Sequence, residues 1–276
     1  MRFFDLHVHA QPDLYRRRYS VTTLNMELQQ TGSFAVFKSH TNSTVPFILD
    51  TERVFGSIVL NSYQGGVQLP TILSQYIISK KPFIIWLPTM TGYVKKVLKQ
   101  NLYNSKLSDY EVVDRITENG NLKKEISEIL SFASSVDIPV ATGHSSKKEI
   151  FLLISEAKKY NTRIIITHPF YRLTNFSITE LVELSKYHNV YFECSILMNL
   201  IGDESLKKDV ELITAVGTDR VFISSDLGQK NRISVSDGYK LYKKNLKNYS
   251  DISNESCSDI FFNTPELVLF GKRKRL

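Results

Sequence analysis

Short apolar runs alternate with amphipathic stretches from one end of this 276-residue chain to the other. Apolar runs bounded by turn residues read as buried strands, and longer stretches with helical spacing read as the crossovers between parallel ones. Eight strands are expected, ending at His9, His40, Asn61, Leu87, His144, His168, Glu193 and Asp226. Helices are expected over 22–30 with Gly32 as the stop, over 44–53 behind Pro46, and over 70–79 behind Pro70. Further ones follow over 123–135, from a capping box at Ser146 and Glu149 to residue 160, and over 177–186, 205–216 and 236–247, with more helix at the C-terminus. Eight β/α units close most simply into a (β/α)8 TIM barrel, whose reactive groups stand at the C-terminal strand ends. An open doubly wound sheet is the alternative, but it holds distant strand ends too far apart to share a site.

The segment 88–122 is too long for a simple connection and reads as a lid-like insertion after the fourth strand. Within it Glu118-Asn119-Gly120-Asn121 predicts a hairpin turn, with 110–116 pairing across it. No composition break divides the chain, so residues 1–276 are expected to form a single domain.

The histidines give this barrel its chemistry. Of six, His7, His9, His40, His144 and His168 close strand-like runs, while His188 precedes its strand. Parallel strands bring the first five to one rim and leave His188 at the other end. A lone buried histidine is usually a hydrogen-bonded structural residue, but scattered structural histidines have no reason to sort this way. Alternation places Asp5, His7 and His9 on one face, Lys38 with His40, Thr142 with His144, Tyr191 with Glu193 and Ser224 with Asp226.

Neutral imidazole suits zinc, iron and nickel, and added carboxylates admit manganese. Roughly four to six of these donors would complete one or two divalent sites and leave a position for water. Such an ion brings the pKa of water towards 7, and Asp226 is placed as both ligand and general base. Lys38 and Glu193 are expected to bridge the ions or to touch substrate. Arg16, Arg17 and Arg18 can pair a phosphate or carboxylate, although a solvated loop is the commoner role for such a run. Cys194 has the opposite parity to Glu193 and is expected outside the barrel. Gly65-Gly66 reads as a turn.

The net charge is +7, of which four charges lie in the basic tail 272–276, leaving +3 elsewhere. A nucleic-acid partner would rest on that tail alone and is not expected. No apolar run reaches the roughly 18 residues of a membrane span, and the N-terminus lacks a signal-peptide pattern. Two cysteines allow at most one disulfide. A cytoplasmic protein acting on a small molecule is expected, with homo-oligomer formation left open.

The motifs carry a resemblance. Asp5-Leu6-His7-Val8-His9, Thr142-Gly143-His144, Thr167-His168-Pro169 and Ser224-Ser225-Asp226, with Asn263-Thr264-Pro265 and Gly271 near the end, resemble the amidohydrolase superfamily over essentially the whole chain. The resemblance implies a distorted barrel, His7 and His9 on one metal, His144 and His168 on a second, and Asp226 as ligand and proton shuttle. It also implies a bridging carboxylated Lys or Glu on the fourth strand. That strand instead ends Trp86-Leu87-Pro88-Thr89, which leaves Lys38 or Glu193 to substitute, or a single ion. His40 resembles the extra histidines of the polymerase and histidinol phosphatase family, whose final D-x-H is absent here.

The expected activity is that of a metal-dependent hydrolase cleaving an amide, ester or lactone. Phosphoester hydrolysis and metal-assisted decarboxylation are the alternatives. A non-enzymatic barrel with structural zinc fits less well, because such sites favour closed, cysteine-rich shells.

Overall fold

The computed structural model describes residues 1–91 and 113–272. Of the lid-like insertion expected over 88–122, residues 92–112, including 110–112 of the expected pairing segment, lie outside the described residues, as does the tail beyond 272. Eight strands form one sheet: β1 (Phe4–His9), β2 (Phe34–Lys38), β3 (Val54–Val59), β4 (Phe83–Trp86), β7 (Val140–Ala141), β8 (Ile164–Thr167), β9 (Val190–Ser195) and β10 (Val221–Ser224). They neighbour one another in chain order, every pair parallel. The backbone closes the seam just past β10: Asp226 N–H donates to His7 O at 2.8 Å, and His9 N–H donates to Leu227 O at 2.8 Å. The result is a (β/α)8 TIM barrel.

Strand parity sorts the apolar residues into two layers. Phe4, Leu6, Val36, Val59, Ile84, Trp86, Ala141, Ile165, Tyr191 and Phe222 pack inside the barrel. Val8, Phe37, Ile85, Ile166, Phe192, Cys194 and Ile223 face the helices. Cys194 is buried and free in that outer layer, as its parity predicts. The floor of the barrel is closed by the C-terminal helix Thr264–Phe270, whose Val268, Leu269 and Phe270 join the interior layer. The Phe270 ring meets Phe55 edge-on at 5.4 Å between centroids, a geometry that aromatic quadrupoles favour.

Most helices fall where their signals place them. The first, Val21–Thr31, ends at Gly32 with φ 66°. Helix Lys147–Tyr160 opens with the expected capping box, in which Ser146 and Glu149 satisfy each other's backbone N–H groups. The Asn119-Gly120 turn joins β5 (Thr117–Glu118) to β6 (Asn121–Leu122), with both turn residues at positive φ.

Two expectations need correction. The helix over 44–53 is only a 3-10 turn, Val45–Ile48. Thr44 is tied to the sheet, its Oγ1 donating to Phe37 O at 2.7 Å and accepting from Ser57 N–H at 2.7 Å. The turn lies so close to β3 that a Cβ on Gly56 would fall 2.9 Å from the Val45 Cα. An α-helix with its side chains is about 10 Å across and does not fit there. Second, a short helix, Ile196–Ile201, leaves β9 directly and was not expected. Its apolar run imitates strand, but Ser195 caps it and Gly202 stops it at φ 80°.

Candidate active site

The C-terminal rim gathers side chains from β1, β2, β8 and the turns after β7 and β10. Asp226 Oδ1 lies 3.1 Å from both His7 Nε2 and His9 Nε2, and Oδ2 lies 3.5 Å from His168 Nε2. His40 stacks on His9 with 4.8 Å between centroids, and the His144 ring lies 6.2 Å from His168. His188 is exposed at the other end, beside Asp137 and Arg163. The rim opens into a cavity of about 780 Å³ lined by all five rim histidines, Lys38 and Asp226, a volume suited to a small molecule.

Local backbone irregularities aim these groups. The β1–β2 register shifts between Asp5 and Val8, and this bulge resets the alternation. Phe4 and Leu6 face the interior, yet so does His7. Asp5 therefore does not share a face with His7 and His9, which corrects the expectation from simple parity. It is fully buried at the seam instead, accepting the Ser225 N–H at 3.0 Å. His168 and Asp226 both adopt left-handed backbone, φ 47° and 51°, at a cost of about 1–3 kcal/mol each. Gly143, at φ 57°, passes so close to β4 that a Cβ would sit 2.2 Å from Leu87 O. Its neighbour His144 thereby reaches the rim.

Several imidazoles are held in one tautomer. His7 Nδ1–H donates to Glu193 Oε1 at 2.7 Å, and Ser224 Oγ donates to the same carboxylate. His144 Nδ1–H donates to Thr89 O at 2.8 Å, and His40 Nδ1 lies 2.9 Å from Thr89 Oγ1. Fixing one ring nitrogen this way leaves the other as a lone-pair donor, the arrangement around bound metals. Burial is the main cause that holds His7, His9, His40 and His168 well below the usual imidazole range, and it takes His144 to about 3. All five are therefore neutral at pH 7, the ligating form.

Lys38, fully buried, extends its Nζ to 2.9 Å from His7 Nε2 and 3.9 Å from the centre of the Trp86 ring. Burial draws its pKa down to about 8 and pushes Asp226 up to about 7, each shift restrained by the other's charge. At the end of β4, where the resemblance implies a bridging anion, the Trp86 indole fills the space and packs on His7 at 4.6 Å. Glu193 lies beneath His7 rather than between two donor sets.

Among the described residues two groups of three donors have ligand atoms within 4.8 Å of one another: His7, His168 and Asp226, and His9, Asp13 and His40. This sorting differs from the His7–His9 and His144–His168 pairing that the resemblance implies. Asp13 was not anticipated. It accepts the His40 N–H at 2.8 Å, pairs with Arg17 Nε at 2.5 Å and lies 3.5 Å from His9 Nδ1. Its position four residues past His9 was the available signal. Thr89 and Asn61, whose Oδ1 accepts the Thr89 N–H at 2.8 Å, left no such trace. Of the three consecutive arginines, Arg16 and Arg17 line the cavity. Arg18 turns away, donating to Arg232 O at 3.1 Å, so it is removed from the substrate-binding set. Gly65-Gly66 forms a turn, as expected.

No curated protein matches the chain. Among solved structures it resembles a Pseudomonas putida protein described as a candidate 2-pyrone-4,6-dicarboxylic acid hydrolase, at TM-score 0.58 and 16% identity over 98% of this chain and 97% of that one. It also resembles an amidohydrolase from Burkholderia multivorans with bound zinc, at TM-score 0.59 and 11% identity over 98% and 99%. A third, an Agrobacterium tumefaciens protein in its apo form, gives TM-score 0.60 and 8% identity over 97% and 95%. These likenesses are of fold. Residues 2–193 match the family of unknown function DUF6282, so the chain belongs to that family.

Proposed function

We propose that this protein is a metal-dependent hydrolase that cleaves an amide, ester or lactone bond in a small molecule. The observation that carries the reading is the convergence of His7, His9 and His168 on the Asp226 carboxylate, at 3.1–3.5 Å, in the cavity at the barrel's C-terminal rim. The donors suit a divalent ion: neutral imidazoles with fixed tautomers, a buried carboxylate, and a buried His168 Nδ1 and Glu193 Oε2 that have no protein partner among the described residues. His7, His9, His40, His144, His168 and Asp226, with Asp13, would hold one or two such ions, zinc in the first instance and manganese, iron or nickel otherwise. A bound ion of this kind supplies Lewis acidity, which activates water and polarises a carbonyl.

The chain supplies the rest. Asp226 faces the cavity and takes the proton of the attacking water at a carboxylate oxygen, then returns it to the leaving heteroatom. Lys38 Nζ donates to the oxygen on which negative charge develops. Glu193 holds the His7 ring, and Thr89 holds His40 and His144. A phosphoester is the second reading, favoured by the His9–Asp13–His40 group and by the arginines beside it. A closed structural zinc shell is disfavoured because these donors open on a cavity.

Elemental analysis of the purified protein and of His7→Ala tests the site: one or two transition ions are expected, largely lost in the variant. A screen of lactones, esters, amides and phosphoesters, read by product mass, then distinguishes water gained from phosphate released or carbon dioxide lost. A protein without transition metal, or one whose metal is indifferent to His7, would end the proposal.

A further inference from the structure

The loop after β1 and the loop after β10 are sewn together at the cavity mouth. Arg17 and Gln229 form an antiparallel bridge, Arg18 N–H donates to Gly228 O at 2.6 Å, and the Arg18 guanidinium donates to Arg232 O. This stitching places Arg16, Lys230 and Arg232 on one basic edge of the cavity. A further cation, Arg172, enters from the loop after β8, with its guanidinium 5.5 Å from the centre of the Tyr171 ring. Arg17 is already engaged by Asp13. Against these cations and Lys38 the cavity presents, among the described residues, two carboxylates, Asp203 and Asp226. Any divalent ion adds to the positive surplus. A cleft lined by one sign of charge concentrates the opposite one. On the remaining wall stand Leu197, Met198 and Ile201 of the short helix after β9.

We infer that the substrate is an amphiphilic anion, with a carboxylate or phosphate group received by Arg172 and the Arg16–Lys230–Arg232 edge and an apolar part lying on Leu197, Met198 and Ile201. This assignment rests on the hydrolase reading only for where the scissile bond lies, over the Asp226 end of the cavity. Guanidinium is the fitting receptor, because its forked donors pair both oxygens of a carboxylate or phosphate. Arg18 contributes by anchoring the loops, not by touching substrate.

The test measures calorimetric binding of malonate, inorganic phosphate and neutral malonamide to the protein as purified, its metal content determined alongside. The same titrations are run on Arg172→Gln and Arg232→Gln, both on exposed loop positions. Malonate or phosphate is expected to bind with an affinity that falls as salt rises, and malonamide to bind at least tenfold more weakly. Each variant should keep its metal and lose about tenfold in anion affinity; the tighter of malonate and phosphate identifies the anionic group. Equal binding of malonamide and malonate, or anion affinity unmoved in both variants, would overturn the assignment. In a second arm, a carboxylated lactone is compared with its methyl ester, and the charged form should have the higher kcat/KM by about tenfold in wild type alone. Binding needs no turnover, so absence of hydrolysis would count against the hydrolase reading while the titrations still decide the anion site.

Discussion

Replacing Glu193 by glutamine separates a residue that serves the metal from one that serves the fold. The Glu193 carboxylate is fully buried, and its Oε1 accepts the His7 Nδ1–H at 2.7 Å. A buried hydrogen bond to a charged acceptor contributes about 1.5–3 kcal/mol, and one to a neutral amide about 0.5–1.5 kcal/mol. The difference, about 1–1.5 kcal/mol, corresponds to roughly tenfold in metal affinity, the lower end of the 10–100-fold seen for partners of metal-binding histidines. Folding should respond differently. Burial is the main cause that raises the pKa of both Asp226 and Asp5, and like-charge repulsion from Glu193 adds to it, so removing that charge relieves the repulsion in the metal-free protein. Glu193→Gln is therefore expected to weaken metal binding about tenfold while the metal-free melting temperature changes little, the relieved repulsion offsetting the weaker bond to His7. Competition against a chromophoric chelator measures the first quantity and thermal denaturation of stripped protein the second. His188→Ala, at the opposite end of the barrel, serves as the control. Wild-type metal affinity in Glu193→Gln, or an equal loss in His188→Ala, would refute the argument that Glu193 acts by holding His7.

Other outcomes follow from the same contacts. A Cβ on Gly228, at φ 126°, would sit 1.8 Å from His9 O, so Gly228→Ala should spring the barrel seam and cost more than about 3 kcal/mol, read by urea denaturation. Leu269→Ala empties part of the barrel floor and should cost about 2–5 kcal/mol yet leave metal content unchanged, since the floor lies below the rim. Burial raises Asp209 to about 6, against hydrogen bonds from Tyr242 and Asn199 that lower it. A carboxyl whose folded pKa is raised favours the fold most below its unfolded pKa of 3.8 and loses that advantage as pH rises towards 6. Stability of wild type relative to Asp209→Asn should accordingly fall between those two values and level off above, which denaturation at a series of pH values will show.

Much of the site was legible because strand parity is a local property. Lys38 and His40 on one side of β2, and Glu193 inward with Cys194 outward on β9, needed only alternation and a barrel to close around them. The capping box at Ser146 and the Asn119-Gly120 turn were legible for the same reason, since each is completed within a few residues. The 3-10 turn Val45–Ile48 was not, because what forbids a helix there is the proximity of β3, which no property of the segment itself records.

By itself the sequence determined the parallel eight-stranded order, through alternating periodicities, and the gathering of five histidines at one rim, through their place at strand ends. Only the tertiary structure decided which donors meet. The bulge in β1 turns His7 inward and Asp5 away, and left-handed backbone at His168 and Asp226 re-aims both side chains. The partners that position these histidines, such as Asp13 at the His40 backbone N–H and Thr89 at the His144 ring, lie 27 and 55 residues away in the chain. Hydrogen bonds at such separations exist only after neighbouring strands have paired, because pairing β1 with β2 and β4 with β7 brings their C-terminal ends within reach.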